Sequence, residues 1–163
     1  MAIRVFVTGG TLDGFDYARE SDAPKRKSSK VQALLRDARI SADYAVTTLF
    51  LKDSRFITHA DLETIATACG KCKEGRILIT HGSFTMAATA KFLAGKKLGK
   101  TIVATGAITP AAKSASDAKF NIGFAFAAVQ SLPKGVYVAM NGRVFHASNV
   151  RKNLRTGYFE KEK

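Results

Sequence analysis

The chain has 163 residues, 46% of them hydrophobic, and its 26 Lys and Arg against 13 Asp and Glu give a formal net charge of +13. This length suffices for one domain with a full core, and residues 1–163 are read as a single domain. No stretch approaches the roughly 18 apolar residues of a membrane span, and Met1-Ala2-Ile3-Arg4 runs straight into a strand with no secretion-signal pattern, so the expectation is a cytoplasmic protein with no membrane partner.

In chain order, Ile3–Thr8 reads as a buried strand and residues 9–28 as a loop rich in Gly, Asp, Ser and Lys. Val31, Leu34, Leu35 and Ala38 predict a helix over Ser29–Ile40 with Ser28 or Ser29 as its N-cap. Tyr44–Leu51 is β-branched and aromatic-rich, hence a strand. Thr58 caps a helix over Thr58–Cys69, with Asp61 three residues on, where a carboxylate suits the helix dipole. Arg76–Thr80 is the third strand, Thr85–Leu93 a helix ended by Gly95, and Thr101–Thr105 the fourth strand. After the small, polar loop 106–118, Phe120–Ser131 is a helix apolar nearly all round, which predicts deep burial or an interface. Val136–Met140 is the fifth strand; Asn141-Gly142 fits a type I′ turn, so Arg143–His146 returns antiparallel. Strands alternating with helices imply an α/β three-layer sandwich with a mostly parallel central sheet, Rossmann- or flavodoxin-like. The last 15 residues are basic and weakly periodic.

Two strand-end signatures carry chemistry. Thr8-Gly9-Gly10-Thr11 follows the first strand, and Thr80-His81-Gly82-Ser83-Phe84-Thr85-Met86 follows the third. If those strands are neighbours, both turns open at the same edge, where open α/β sheets bind ligands. Two candidate hydroxyl nucleophiles, Thr11 and Ser83, then share one crevice. The first turn lacks the spacing for dinucleotides or nucleoside triphosphates, so no cofactor is implied. Hydroxyls need a nearby base at neutral pH, and a lysine serves only if desolvation or neighbouring charge lowers its pKa.

These residues resemble the N-terminal domain of the bacterial-type L-asparaginases. That family carries T-G-G-T-I, T-H-G-T-D-T-M, G-A-M-R-P and a D-V-T-K-like segment in this order. The chain reads Thr8-Gly9-Gly10-Thr11-Leu12, the second signature above, Gly106-Ala107-Ile108-Thr109-Pro110 and Asn149-Val150-Arg151-Lys152, with Asp117, Phe120 and Asn121 at the family's S-A-D-G-P-F-N run. The resemblance implies an amidohydrolase acting on a small amide or carboxylate. It assigns Thr11 as nucleophile, Ser83 as second hydroxyl, Lys152 as the lysine that activates that hydroxyl or its water, and Tyr17 as the mobile-loop tyrosine. Gly10 and Gly82 belong to the matching turns and are expected to line the substrate.

The departures fall on substrate binding. Phe84 stands where the family has the aspartate that holds an α-ammonium group, Leu51-Lys52 stand in place of its Ser-Gln pair, and Thr109 replaces its arginine. The family's C-terminal domain is expected to be absent. An acid is lost and a base gained, which predicts weak asparagine binding unless Asp13, Asp16 or Asp53 compensates. The expected preference is a substrate without an α-ammonium group, its carboxylate on Lys52.

Other residues read blandly. His81 is structural, and His59 and His146 lack partners at metal-ligand spacing, so no metal is assigned. Cys69 and Cys72 form a lone C-x-x-C, read as reduced thiols partly packed on the core. Phe84 reads as core packing ahead of a substrate platform. The apolar Phe120–Ala128 segment suggests a homo-oligomer, dimer or tetramer, whose interface would act as a lid. Two alternatives stand beside hydrolysis. One is a small-ligand binder without turnover. The other is a nucleic-acid-binding protein on the same scaffold, for which the charge argues and the lack of an aromatic-interleaved motif argues against.

Overall fold

Ile3, Val5 and Val7 alternate with Phe6, and this period of two decides which side of a sheet each side chain enters. In the computed structural model, which describes residues 2–15 and 28–162, they form β1 (Ile3–Gly9). Parallel partners flank it, β2 (Tyr44–Lys52) on one side and β3 (Arg76–Thr80) on the other. β4 (Thr101–Thr105) and β5 (Gly135–Met140) extend the parallel run, and β6 (Arg143–His146) closes it antiparallel. The order β2-β1-β3-β4-β5-β6 is the flavodoxin-like one, in which the strand order reverses between β1 and β3. The expected class and every expected strand are found.

The two faces bury separate cores. Phe6, Ile77, Ile79, Ile102, Ala104, Val136 and Val138 pack on α2 (His59–Lys71) and α3 (Met86–Gly95). Ile3, Val5, Val7, Leu78, Val103 and Ala139 pack on α1 (Val31–Asp37) and α4 (Ala118–Ser131). Cys69 lies in the first core, where burial pushes its thiol pKa up to about 12. Both cysteines are free thiols.

Helix ends differ from expectation where side chains are used elsewhere. α1 starts two residues late because the Ser29 hydroxyl donates to Asp13 (2.7 Å) while accepting from Val31 N–H, and Arg39 at φ 53° stops the helix early. Thr58 caps α2 as expected, and Asp61 completes a capping box: Thr58 accepts from Asp61 N–H, and the Asp61 carboxylate accepts from Thr58 N–H. Gly95 does not end α3 by a left-handed turn; Lys97, at φ 49°, occupies that conformation. Asn141 and Gly142 have φ of 56° and 72°, as the β5–β6 turn demands. Phe120 is 61% exposed and stacks on Phe124 with centroids 6.1 Å apart, so one side of α4 is uncovered rather than deeply buried.

Candidate active site

The reversal of strand order puts the C-terminal ends of β1 and β3 side by side, and glycines let the turns beyond them pack backbone to backbone. Gly10 sits at φ 83°, and a Cβ there would stand 2.4 Å from the Cα and N of Gly82. On the other side of Gly82 a Cβ would stand 2.4 Å from Ser54 Oγ. The turn after β4 closes in the same way, since a Cβ on Gly106 would meet the His81 carbonyl at 2.3 Å. Thr11 begins a short 3-10 turn (Thr11–Asp13) and is almost fully buried beside this contact. Ser83 is fully buried and lies just before the first turn of α3, whose positive dipole end favours developing negative charge.

Lys152 arrives from far along the chain. Beyond β6, a 3-10 turn (Ala147–Asn149) and Val150 bury Ala147 and Val150 in the α2–α3 core. The short strand β7 (Arg151–Lys152) then pairs antiparallel with β8 (Phe159–Glu160). This two-stranded ribbon is held by buried Phe159, by Phe159 N–H donating to Asn141 Oδ1, and by the Arg151–Glu160 ion pair at 2.7 Å. Arg151 faces solvent, so Lys152, its neighbour in the strand, faces inward and donates from Nζ to Ser83 Oγ at 2.8 Å. Burial, which disfavours the ammonium, lowers the Lys152 pKa below that of an ordinary lysine. A serine hydroxyl and a lysine in direct contact are thus assembled from positions 69 residues apart. Among the described residues, no hydrogen bond joins the Thr11 hydroxyl to either of them.

His81 is a support. Its buried Nδ1 lies 2.8 Å from the Gly82 carbonyl, which can only accept, so Nδ1 carries the proton and Nε2 accepts from Thr89 Oγ1 at 3.1 Å. Desolvation lowers its pKa and keeps it neutral. Asp117 performs a similar task for the loop after β4. Its carboxylate accepts from Ile108 N–H, Thr109 N–H and Asn121 Nδ2 at 2.7–3.0 Å.

Residues 2–159 match the family model described as Asparaginase, N-terminal. The chain belongs to the asparaginase N-terminal domain family. Its fold superposes on the thermostable L-asparaginase from Thermococcus kodakarensis with a TM-score of 0.79 at 25% identity, covering 99% of this chain and 51% of that one. L-asparaginase I from Vibrio cholerae O1 biovar eltor gives a TM-score of 0.79 at 27% identity, covering 98% and 51%. A probable cytoplasmic L-asparaginase from Campylobacter jejuni gives 0.75 at 27%, covering 93% and 48%. The chain therefore spans about half the length of these structures. No curated protein sequence matches it.

In this asparaginase-family domain the positions expected to bind substrate are placed as follows. Lys52 directs its ammonium to the Asp61 carboxylate at 2.6 and 2.7 Å, while its backbone carbonyl accepts from Gly10 N–H. Asp53 is buried and spends its carboxylate on Arg55, through the backbone N–H and the guanidinium. Asp13 is fully buried and accepts from Ser29 and Lys30. Phe84 is 44% exposed directly after Ser83, which corrects its reading as a core residue. Tyr17 and Asp16 lie outside the described residues.

Ser54 went unnoticed in the sequence. Its Oγ is buried against Gly82 with no hydrogen-bond partner among the described residues, and its carbonyl accepts from Thr85 Oγ1 at 2.9 Å. A buried hydroxyl without a partner is costly unless something else, such as a ligand, satisfies it. Its only sequence signal was the Asp53-Ser54 turn start, which is common in any loop.

Proposed function

We propose that the protein is an amidohydrolase that converts a small side-chain amide to the acid and ammonia. The Lys152–Ser83 hydrogen bond carries this reading, because it joins a hydroxyl to a base whose burial favours the neutral amine. In this mechanism a neutral Lys152 takes the proton of Ser83, and Ser83 relays basicity to the reacting hydroxyl or water. Thr11 attacks the amide carbon, and the tetrahedral oxyanion is met by turn N–H groups and the positive end of α3. Ammonia leaves with a proton returned by the Ser83–Lys152 pair, and water hydrolyses the acyl ester by the same relay.

A second reading exchanges the hydroxyls. Ser83 is the one with a base at 2.8 Å, which is the direct Ser–Lys nucleophile arrangement, and Thr11 then orients the substrate. Ammonia release over a panel of small amides tests the activity, and no Thr11- or Ser83-dependent ammonia from any amide refutes both readings. Mass spectrometry of the protein quenched during turnover separates them, by acyl mass on the peptide carrying Thr11 or on the one carrying Ser83.

The preferred substrate lacks an α-ammonium group. An apolar ring occupies the position after Ser83, and both oxygens of the Asp53 carboxylate are already engaged by Arg55. The substrate's carboxylate is not met by the Lys52 ammonium unless that group leaves Asp61. The exposed Phe120, stacked on the half-buried Phe124 of α4, supports self-association. Sedimentation of wild type against Phe120→Glu tests that part: a monomer for both refutes it.

A further inference from the structure

The opposite edge of the sheet has a cavity of about 320 Å³, between the last turn of α3 and the first residues of β4 and β5. Leu93, Leu98, Ile102 and Val136 form an apolar wall, and Lys97 and Lys134 stand at its rim. The neighbouring lysines are engaged elsewhere. Lys96 binds Glu63, and Lys100 binds the Cys72 carbonyl and thiol. The Lys97 and Lys134 ammonium groups make no hydrogen bond or ion pair with any described residue, and no acidic residue lines the cavity among those described. Lys97 also holds the left-handed position that follows a helix, with φ 49°, where glycine is the favoured occupant. A lysine is therefore kept at the rim against the local backbone preference. An apolar recess of this size with a few fixed polar groups is the ordinary form of a small-molecule site.

We propose that this cavity binds a small amphiphilic anion, its apolar chain on Leu93, Leu98, Ile102 and Val136 and its carboxylate or phosphate head between Lys97 and Lys134. The cavity is separate from the Ser83 edge, since α3 starts just after Ser83 and ends at the cavity, about 15 Å away along its axis. The two lysines also complement the negative C-terminal end of α3, and the experiment is chosen to separate that role from binding.

The test is a ¹H–¹⁵N NMR titration of the whole protein with hexanoate, hexyl phosphate and hexanol. The expected result is saturable shifts of the Leu98, Gly99, Lys100 and Gly135 amides with one or both anions, the tighter one identifying the head group, and weaker binding of hexanol. The double variant Lys97→Gly, Lys134→Gln is expected to weaken anion binding about tenfold. Because glycine suits the φ of residue 97, a misfolded variant is not the concern it would be elsewhere. The proposal is overturned by no saturable shift at these amides up to about 10 mM, a concentration that would reveal even millimolar affinity. It is also overturned if hexanol binds as tightly as the anions, or if the double variant binds them unchanged, which leaves the lysines only the helix-dipole role.

Discussion

Gly10 and Gly82 touch backbone to backbone: neither the Cα nor the N of Gly82 leaves room for a side chain on Gly10, whose Cβ would approach both to 2.4 Å. This contact holds the Thr11 turn against the Ser83 turn, and so sets the spacing of the two hydroxyls on which the proposed chemistry depends.

Gly10→Ala therefore combines a left-handed φ with a backbone clash. It is expected to cost about 3 kcal/mol or more of stability and to abolish ammonia release even where the protein remains folded. Gly123→Ala is the control, since a Cβ at Gly123, inside α4, meets nothing within 4 Å. That change should stabilise the protein by about 0.5–1 kcal/mol, and thermal melts of the two variants check the contrast.

Lys152 must be neutral to accept a proton, and its burial lowers its pKa. Ammonia release should rise with pH along a limb whose midpoint lies below the ordinary lysine range. Lys152→Arg, which stays charged, should lose that limb and about 10²–10⁴-fold in rate. The stability effect has a definite sign. The folded-state pKa is below the unfolded one, so between the two values the unfolded chain binds more protons and stability rises with pH. Below that window the buried ammonium is a standing cost, so Lys152→Met should melt higher than wild type at neutral pH while releasing no ammonia.

Phe84 is exposed, so its replacement should leave the fold intact. Wild type is expected to release ammonia faster from succinamate than from asparagine. Phe84→Asp should reverse or narrow that ratio by about tenfold or more, as a carboxylate there pairs with the α-ammonium. An unchanged ratio would remove residue 84 from substrate selection.

Lys52 is expected to act on stability rather than on substrate affinity. Burial raises the Asp61 pKa, but hydrogen bonds from Lys52 and Thr58 outweigh it and leave the pKa lowered. The stability this confers is present above the unfolded carboxylate pKa and lost as pH falls through the folded one. Lys52→Met should lower stability by about 1 kcal/mol at neutral pH, shrink the acid-induced loss, and leave KM for carboxylate-bearing amides unchanged. A raised KM would instead place the Lys52 ammonium on the substrate.

The strands and the α2 cap were legible because their signals are local. Alternation along Ile3–Val7 and the Thr58–Asp61 spacing each contain their own physics. The helix ends of α1 and α3 were not, because Ser29 and Thr85 spend their hydroxyls on Asp13 and on the Ser54 carbonyl, partners that no local pattern reveals. Lys152 was named only through family likeness. Nothing local distinguishes it from the surrounding basic residues, and the ribbon that turns it inward is two residues wide on each strand.

By itself, the amino-acid sequence determined the βα alternation, the two glycine turns at strand ends and the membership of residues in one family, since periodicity and turn chemistry act over a few neighbouring residues. Tertiary structure alone decided which charges remain available. It closed Lys52 onto Asp61 and Asp53 onto Arg55, set Lys152 on Ser83, and left Ser54 buried against Gly82 and Phe84 in solvent. Those outcomes depend on which distant groups meet once the strands are ordered, and ion pairing and desolvation are properties of that meeting rather than of either partner.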